Sequence, residues 1–292
     1  MTSMLGAQRN AGRSRPWMIS VIFALSNLVA LSAGASAPDL QWTSLQEGLV
    51  IAVWEPGDQC HDEVAPVVLV KVDPMRFRFA TFNYRSEALS QPPTIPEWQQ
   101  RTGAILVFNA GQFLDDYSYL GLLLKDGRSI GGRRHRSWRG LFVAEPMAQG
   151  SKRAGILDLA LDEFSEERPA YREAAQSLML LDRQGRPRVR RSGKQAQQTV
   201  VGELRDGTIL LIKTTADSAL WDLAECIKIG LPEVYQALAF DGGSSSDVLV
   251  APETLKKFPG VLDAAPWSSH VGGSGQRHIP LPSVIAVFPR EK

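Results

Sequence analysis

Short apolar stretches separated by tight turns recur along this 292-residue chain. Two of the turns, Asp126-Gly127 and Asp206-Gly207, are of the kind that closes a β-hairpin. Helical periodicity is confined to a few segments, and the clearest begins at Asp217 or Ser218 and ends at Gly230. Many hairpins with a few interposed helices predict an α+β fold, a mixed and largely antiparallel sheet with a few packed helices in a single catalytic domain.

The positions of the elements follow from the same patterns. A hairpin is predicted at 40–54, and strands are predicted at 64–72, 76–81, 104–108, 120–124, 138–143, 177–181, 200–204, 209–213, 237–240 and 284–288. A short helix is predicted at 96–101, because Thr94 can cap it and proline stands in its first turn. A second helix is predicted at 163–175.

Residues 1–37 have the order of a secretory signal peptide. A basic start precedes the apolar stretch 17–31, and Ala35-Ser36-Ala37 offers a cleavage site. The apolar stretch is short for a membrane span, which needs about 20 residues. We therefore expect residues 38–292 to be exported to the periplasm or the cell exterior with no membrane span, an uncleaved anchor being the alternative.

Charge and cysteine content limit the partners and cofactors. The formal net charge of +1 gives no reason to expect nucleic acid. Cys60 and Cys226 are the two cysteines, and such a pair in an exported protein can form a disulfide. Their wide separation leaves the bonded and free states equally open, because geometry decides. Scattered histidines predict no metal site, and no motif predicts a cofactor.

Two strands are predicted to end in polar, glycine-containing sequence. The apolar run 237–240 stops at Asp241-Gly242-Gly243, and three serines follow. The run 104–108 stops at Asn109-Ala110-Gly111 in the same way. Glycine lets a ligand approach the main chain, and turn N–H groups and hydroxyls can bind an oxyanion. We expect the two strand ends to meet over one cleft, polar turns of purely structural role being the alternative.

The order of these pieces resembles that of the phosphodiester glycosidase domain family, which includes the lysosomal uncovering enzyme and exported bacterial members. The resemblance covers residues 64–288. The matching pieces, in chain order, are Asn109-Ala110-Gly111-Gln112-Phe113, Gly121-Leu122 through Gly127, Arg139-Gly140-Leu141-Phe142, Gln176-Ser177, Val201-Gly202 through Asp206-Gly207, and Phe240 through Ser246.

The resemblance implies an exported hydrolase that cleaves the glycosidic bond of a sugar-1-phosphodiester in envelope or extracellular glycans. Its partner would be a carbohydrate or sugar phosphate. By position in the motifs, Asp241, Asn109 and Arg139 would be catalytic. Residues that would bind substrate are Gly111, Gly242, Gly243, Ser244, Ser245 and Arg277.

Glycosidases usually employ two carboxylates, and the sequence offers only Asp115, Asp116 or Glu203 as a second one. Two positions depart from the family pattern. Gln198-Thr199 stands where the family often has an arginine, although Arg190 and Arg191 are nearby, and Leu178-Met179 stands where the family usually has Gly-Pro. These departures support an alternative function, a catalytically degraded protein of the same fold that binds or assembles envelope glycans. A generic secreted adaptor is the third hypothesis.

Overall fold

The computed structural model describes residues 40–57, 60, 64–257, 267–272 and 277–291. The predicted signal peptide and its cleavage site lie outside these residues. Within them, no helix is long and apolar enough to cross a membrane. The described chain has the predicted α+β architecture, with antiparallel sheets and a few short helices.

The first half of the described chain is strand-rich. Its strands are β1 Thr43–Gln46, β2 Leu49–Trp54, β3 Val67–Val72, β4 Phe77–Asn83, β5 Leu106–Asn109, β6 Leu123–Lys125, β7 Arg128–Ser129, β8 Gly140–Pro146 and β9 Ala154–Asp158. Helix α1, Ile95–Thr102, lies between β4 and β5. The predicted cap is confirmed, since Thr94 and Glu97 form a capping box, and Gly103 ends the helix with φ of 66°.

The second half adds further strands and short helices. The strands are β10 Tyr171–Leu181, β11 Gln195–Ala196, β12 Thr199–Leu204, β13 Ile209–Thr214, β14 Ser218–Ala219, β15 Val234–Ala239, β16 Val248–Val250 and β17 Ser283–Pro289. The helices are α2 Leu220–Gly230, α3 Pro252–Leu255 and α4 Ser268–Val271, with a 3₁₀ turn at Gly243–Ser245.

Two sheets carry the fold. The larger follows the order β1-β2-β3-β13-β12-β15-β10-β6-β7, and β8 joins it through β10 and carries β9. The smaller follows the order β16-β5-β17-β4. Their facing sides share one hydrophobic core, in which Phe79 meets Phe142 edge-on and Phe108 stacks on Phe240. Burial of such aromatic side chains stabilises the contact between the sheets.

Helix α2 packs against the larger sheet through a second apolar cluster. Its residues Leu223 and Ile227 belong to this cluster with Leu69 of β3 and Ala237 of β15. Cys226 of α2 is bonded to Cys60, with 5.0 Å between their Cα atoms. The disulfide therefore fastens the segment before β3 to α2.

The predicted helix at 163–175 is wrong. Tyr171–Leu181 is the long strand β10, and residues 163–170 are irregular. Strand β10 pairs with β15, β6 and β8, and most of its side chains are buried. Pairing on both edges outweighs a weak local preference for helix, because burial and a complete hydrogen-bond ladder stabilise the strand far more.

Candidate active site

The two polar strand ends meet in the structure. Strand β5 ends at Asn109 in the smaller sheet, and β15 ends just before Asp241 in the larger one. The Asp241 N–H points to the carbonyl oxygen of Ala110 with 3.3 Å between nitrogen and oxygen. The segments that follow β5 and β15 are therefore hydrogen-bonded to each other, which joins the two sheets at this point.

Asn109 makes this junction with its side chain. It is 1 % exposed, and its amide nitrogen donates to the carbonyl oxygens of Asp241 at 2.8 Å and Ala110 at 3.2 Å. Its amide oxygen accepts from the N–H of Asp247 at 3.0 Å. Both ends of the loop 241–247 are thus tied to one side chain. With its polar atoms engaged by the main chain, Asn109 is suited to positioning the loop.

A cleft of about 640 Å³, here called the Asp241 cleft, opens beside this junction. Asp241, Gly242 and Gly243 form one wall. The rest of the lining includes Trp138, Arg188, Arg190, Lys194, Gln112 and Gln198. Among the lining residues Asp241 is the single carboxylate, whereas the cations number three. An anion with polar substituents fits this lining better than a neutral apolar ligand.

Burial raises the pKa of the Asp241 carboxyl above its usual range. The Ser245 hydroxyl, the Gly242 N–H at 3.1 Å and the charge of Lys194 act in the opposite direction, and burial outweighs them. A carboxyl group whose pKa lies closer to neutrality exchanges protons more readily under working conditions. Ser245, predicted to bind substrate, contributes instead by a hydrogen bond to this carboxylate.

The three cations of the cleft differ in whether they form ion pairs. The Arg188 guanidinium lies 3.5 Å from carboxylate oxygens of both Asp158 and Asp182. Arg190 and Lys194 are exposed and have no ion pair within 4.0 Å among the described residues. A guanidinium and an ammonium without carboxylate partners can bind phosphate oxygens. The basic stretch 183–194 was the sequence signal for these two side chains.

Trp138 forms an aromatic wall of the cleft, and the loop that carries it is fixed. The buried Gln176 side chain donates to the carbonyl oxygens of His135 and Trp138 at 2.9 and 2.8 Å, and accepts from the His135 N–H at 2.8 Å. The His135 ring packs on the Trp138 ring with 4.5 Å between centroids. The role of Gln176, a position that matches the family motif, is therefore to hold the loop that carries Trp138.

Arg139 and Gly111 do not line the clefts found around the loop 241–247. Arg139 is exposed, and its neighbour Trp138 takes the inward position. Gly111 is a packing position, because a Cβ there would overlap the Tyr119 hydroxyl and come within 2.8 Å of the Gln176 carbonyl oxygen. The cations that line the Asp241 cleft without an ion pair among the described residues are Arg190 and Lys194.

Ser244 and Arg277 line a second cleft of about 690 Å³, here called the flanking cleft. It shares Gly243 and Ala196 with the Asp241 cleft. Between the two, the Gly243 N–H donates to the Gln197 carbonyl oxygen at 2.8 Å. Of the residues predicted to bind substrate, Gly242 lines the Asp241 cleft, Ser244 and Arg277 line the flanking cleft, and Gly243 lines both.

The candidates for a second carboxylate do not line the clefts around the loop 241–247. Asp115 and Asp116 are exposed, and Asp116 accepts from the Ser118 N–H at 2.9 Å. Glu203 lines a separate cavity and accepts from the Ile156 N–H at 2.8 Å and the Gln236 side chain at 2.9 Å.

Asp247 is the carboxylate that the sequence did not single out. It lines the flanking cleft, and its Oδ2 lies 2.6 Å from Nδ1 of His278. Its place six residues after Asp241 was the available signal. Among the described residues, no three His, Cys, Asp or Glu side chains come together as a metal site would require.

Comparisons with known proteins place these features in context. The model of the phosphodiester glycosidase family matches residues 102–288. The catalytic domain of zebrafish N-acetylglucosamine-1-phosphodiester α-N-acetylglucosaminidase, auto-inhibited by its pro-peptide, is similar with a TM-score of 0.56 and 14 % identity, over 86 % of this chain and 88 % of that one.

A hypothetical protein from Synechocystis is similar with a TM-score of 0.55 and 13 % identity. The similarity covers 88 % of this chain and 65 % of the Synechocystis chain, so this chain spans less than two thirds of that protein. No curated protein matches the sequence significantly. At these identities the structural similarities concern the fold.

Proposed function

The chain belongs to the phosphodiester glycosidase family, and from that premise we propose that it is an exported hydrolase of a sugar-1-phosphodiester in envelope or extracellular glycans. The observation that carries the proposal is the arrangement of the Asp241 cleft. One carboxylate with a raised pKa and two cations without an ion pair among the described residues, Arg190 and Lys194, line one cavity of about 640 Å³.

The cations suit the leaving group. In the proposed reaction the bond between the anomeric carbon and its phosphate oxygen breaks, and water supplies the oxygen that replaces it. The products are a free sugar and a phosphate monoester, and the second proton of water goes to the monoester or to solvent. Arg190 and Lys194 would stabilise the charge that develops on the departing phosphate. The demand for a strong general acid is correspondingly lower than in an ordinary glycosidase.

Asp241 suits the sugar side. An ionised carboxylate can activate the attacking water, or stabilise the positive charge that develops on the sugar ring. The charge of Lys194 favours the ionised form of Asp241. The side-chain amide of Gln112 lines the same cleft and can form hydrogen bonds with sugar hydroxyls.

Export is the other half of the proposal. The disulfide between Cys60 and Cys226 supports it, because such bonds persist in oxidising compartments. The order of residues 1–37 supports it independently.

A second candidate function is a glycan-binding protein of the same fold without turnover. It is favoured by the single carboxylate of the Asp241 cleft and by Gln198, whose side chain donates to the carbonyl oxygens of Ala196 and Ser218 at 2.9 Å. Gln198 thus fills with structural hydrogen bonds a position at which the family often has an arginine.

A substrate panel distinguishes the two. Residues 38–292, purified with the disulfide intact, should release free sugar and phosphate monoester from at least one sugar-1-phosphodiester, and Asp241→Asn should stop the release. Arg139→Gln should have little effect, because Arg139 lies outside the cleft. Binding of sugar phosphates without turnover across the panel would favour the glycan-binding protein.

A further inference from the structure

We propose that the Asp241 cleft is the centre of a longer binding surface for a polyanionic glycan, a polymer that carries several phosphates along its chain. The inference rests on the proposed function for the reaction at the centre of this surface. The extended surface itself is argued from charges outside the cleft, and binding tests it without turnover.

Exposed arginines stand next to cleft-lining residues in two segments of the chain. In the first, Arg133 and Arg136 precede Ser137 and Trp138, which line the cleft. In the second, Arg191 follows Arg190, which lines the cleft. Arg133, Arg136 and Arg191 are exposed and have no ion pair with any described residue within 4.0 Å. We call these three residues the rim arginines.

The positive charge is a local feature of this surface. The net charge of +1 includes Arg9, Arg13 and Arg15 of the predicted signal peptide, and the remaining chain has more acidic than basic residues. Neither the segment 133–144 nor the segment 183–202 contains an acidic residue. A cleft bordered by one sign of charge raises the local concentration of oppositely charged ligand.

One of the two segments is held in place before any ligand binds. The Gln176 side chain fixes the main chain at His135 and Trp138, which flank Arg136 and Ser137. A preorganised backbone reduces the conformational entropy lost on binding. The rim in this segment is therefore suited to binding.

A small substrate would leave the rim arginines without a function. A single phosphodiester has one negative charge, and Arg190 and Lys194 already face it within the cleft. Further phosphates along the same chain would meet the rim arginines. Surfaces for single-stranded nucleic acid present several exposed aromatic side chains for stacking, whereas Trp138 and Phe240 of the cleft are 8 % and 2 % exposed. A phosphate-bearing glycan fits better.

The test measures binding of short-chain inorganic polyphosphate to residues 38–292 by calorimetry over a series of salt concentrations. One variant combines Arg133→Gln, Arg136→Gln and Arg191→Gln. The matched control combines Arg101→Gln, Arg153→Gln and Arg172→Gln, three exposed arginines that do not line the Asp241 or flanking cleft. Both lose the same charge, and equal thermal midpoints would exclude unfolding as the cause of a difference.

The rim variant should bind polyphosphate about tenfold more weakly and lower the slope of log K against log salt by about two, because each lost phosphate contact removes a released counterion. The control should bind within about twofold of the wild type. Neutral dextran should bind both variants and the wild type alike.

Equal weakening in both variants, or none in the rim variant, would overturn the proposal. So would a single-stranded oligonucleotide that binds more tightly than polyphosphate of equal phosphate count, since that result assigns the surface to nucleic acid. A wild type that binds polyphosphate through its rim but hydrolyses no sugar-1-phosphodiester rejects the reaction and keeps the surface. If the wild type hydrolyses small substrates and the rim arginines contribute nothing to polyphosphate binding, the reaction is kept and the extended surface is rejected.

Discussion

The side-chain amide of Asn109 donates a hydrogen bond to the main-chain carbonyl oxygen of Asp241, with 2.8 Å between nitrogen and oxygen. The same side chain accepts from the N–H of Asp247. One buried residue at the end of β5 thus holds both ends of the loop that carries the candidate catalytic carboxylate. This contact joins the two sheets at the cleft.

Asn109→Ala should lower the free energy of unfolding by about 2–3 kcal/mol, because it leaves buried main-chain groups without partners. Turnover should fall as well, since the loop 241–247 loses its anchor. The control is Asn83→Ala, which removes buried hydrogen bonds to Ser283 and Arg85. Urea unfolding should show similar losses for both variants, with turnover retained only in Asn83→Ala. Full turnover in Asn109→Ala would contradict the positioning role.

Asp241→Asn should reduce turnover by about 100- to 10,000-fold, the range expected for loss of one acid–base group. The same change should stabilise the protein at neutral pH. Burial raises the pKa of Asp241 in the native state. The contribution of this group to stability is therefore fully present below its unfolded pKa and is lost as pH rises through its folded pKa. Asparagine has no such charge to bury.

Thermal unfolding of both proteins from acid to neutral pH measures this second effect. The difference between Asp241→Asn and the wild type should grow as the pH rises, and should vanish where the aspartate is protonated in both states. If Asp241→Asn is less stable than the wild type at pH 7, the hydrogen bonds and charges around the ionised Asp241 outweigh the cost of burying it.

Lys194→Gln should move the acidic limb of the kcat/KM profile to higher pH. The charge of Lys194 lowers the pKa of Asp241, and its removal leaves the effect of burial less opposed. Activity that depends on ionised Asp241 should then fail at a higher pH during acidification. Arg153→Gln, an exposed cation outside both clefts, is the control and should leave the limb in place. If the acidic limb does not move in Lys194→Gln, the pH dependence of kcat/KM does not arise from the ionisation of Asp241.

Neighbouring glycines should respond differently to substitution. Gly243 has φ of 68° and open space around its missing Cβ, so its constraint is the backbone angle. Gly243→Asn should be tolerated, whereas Gly243→Val should cost about 1–2 kcal/mol. A Cβ on Gly242 would lie 2.7 Å from the Gln197 carbonyl oxygen, so Gly242→Ala should displace the segment between the clefts and raise KM. Unfolding midpoints and KM values across the series check this order.

The disulfide should contribute about 3–5 kcal/mol to stability, because Cys60 and Cys226 close a long loop. Paired Cys60→Ser and Cys226→Ser substitutions should lower the free energy of unfolding by that amount and leave kcat unchanged at low temperature. Reductant should destabilise the wild type equally and leave the double variant unaffected. A loss of kcat in the folded double variant would connect α2 to the chemistry.

Short-range sequence patterns predict much of the fold. The hairpin of β1 and β2, helix α1 and the strands that end at Asn109 and Asp241 follow from short-range patterns. Turn residues, caps and apolar runs act over a few positions, so the sequence displays them directly. Strand β10 was partly missed, because its stability comes from partners far away in the chain.

Which residues line the Asp241 cleft is decided by the tertiary structure. Trp138 and Arg139 are adjacent, yet only Trp138 lines the cleft. Motif position pointed to Arg139, whereas Arg190 and Lys194 are the cations that line the cleft with Asp241 and have no ion pair among the described residues. The sequence by itself determined most of the strands, the hairpin turns and the acid that follows β15. Only long-range packing decided which cations meet that acid, because the direction of a side chain depends on contacts that local periodicity does not contain.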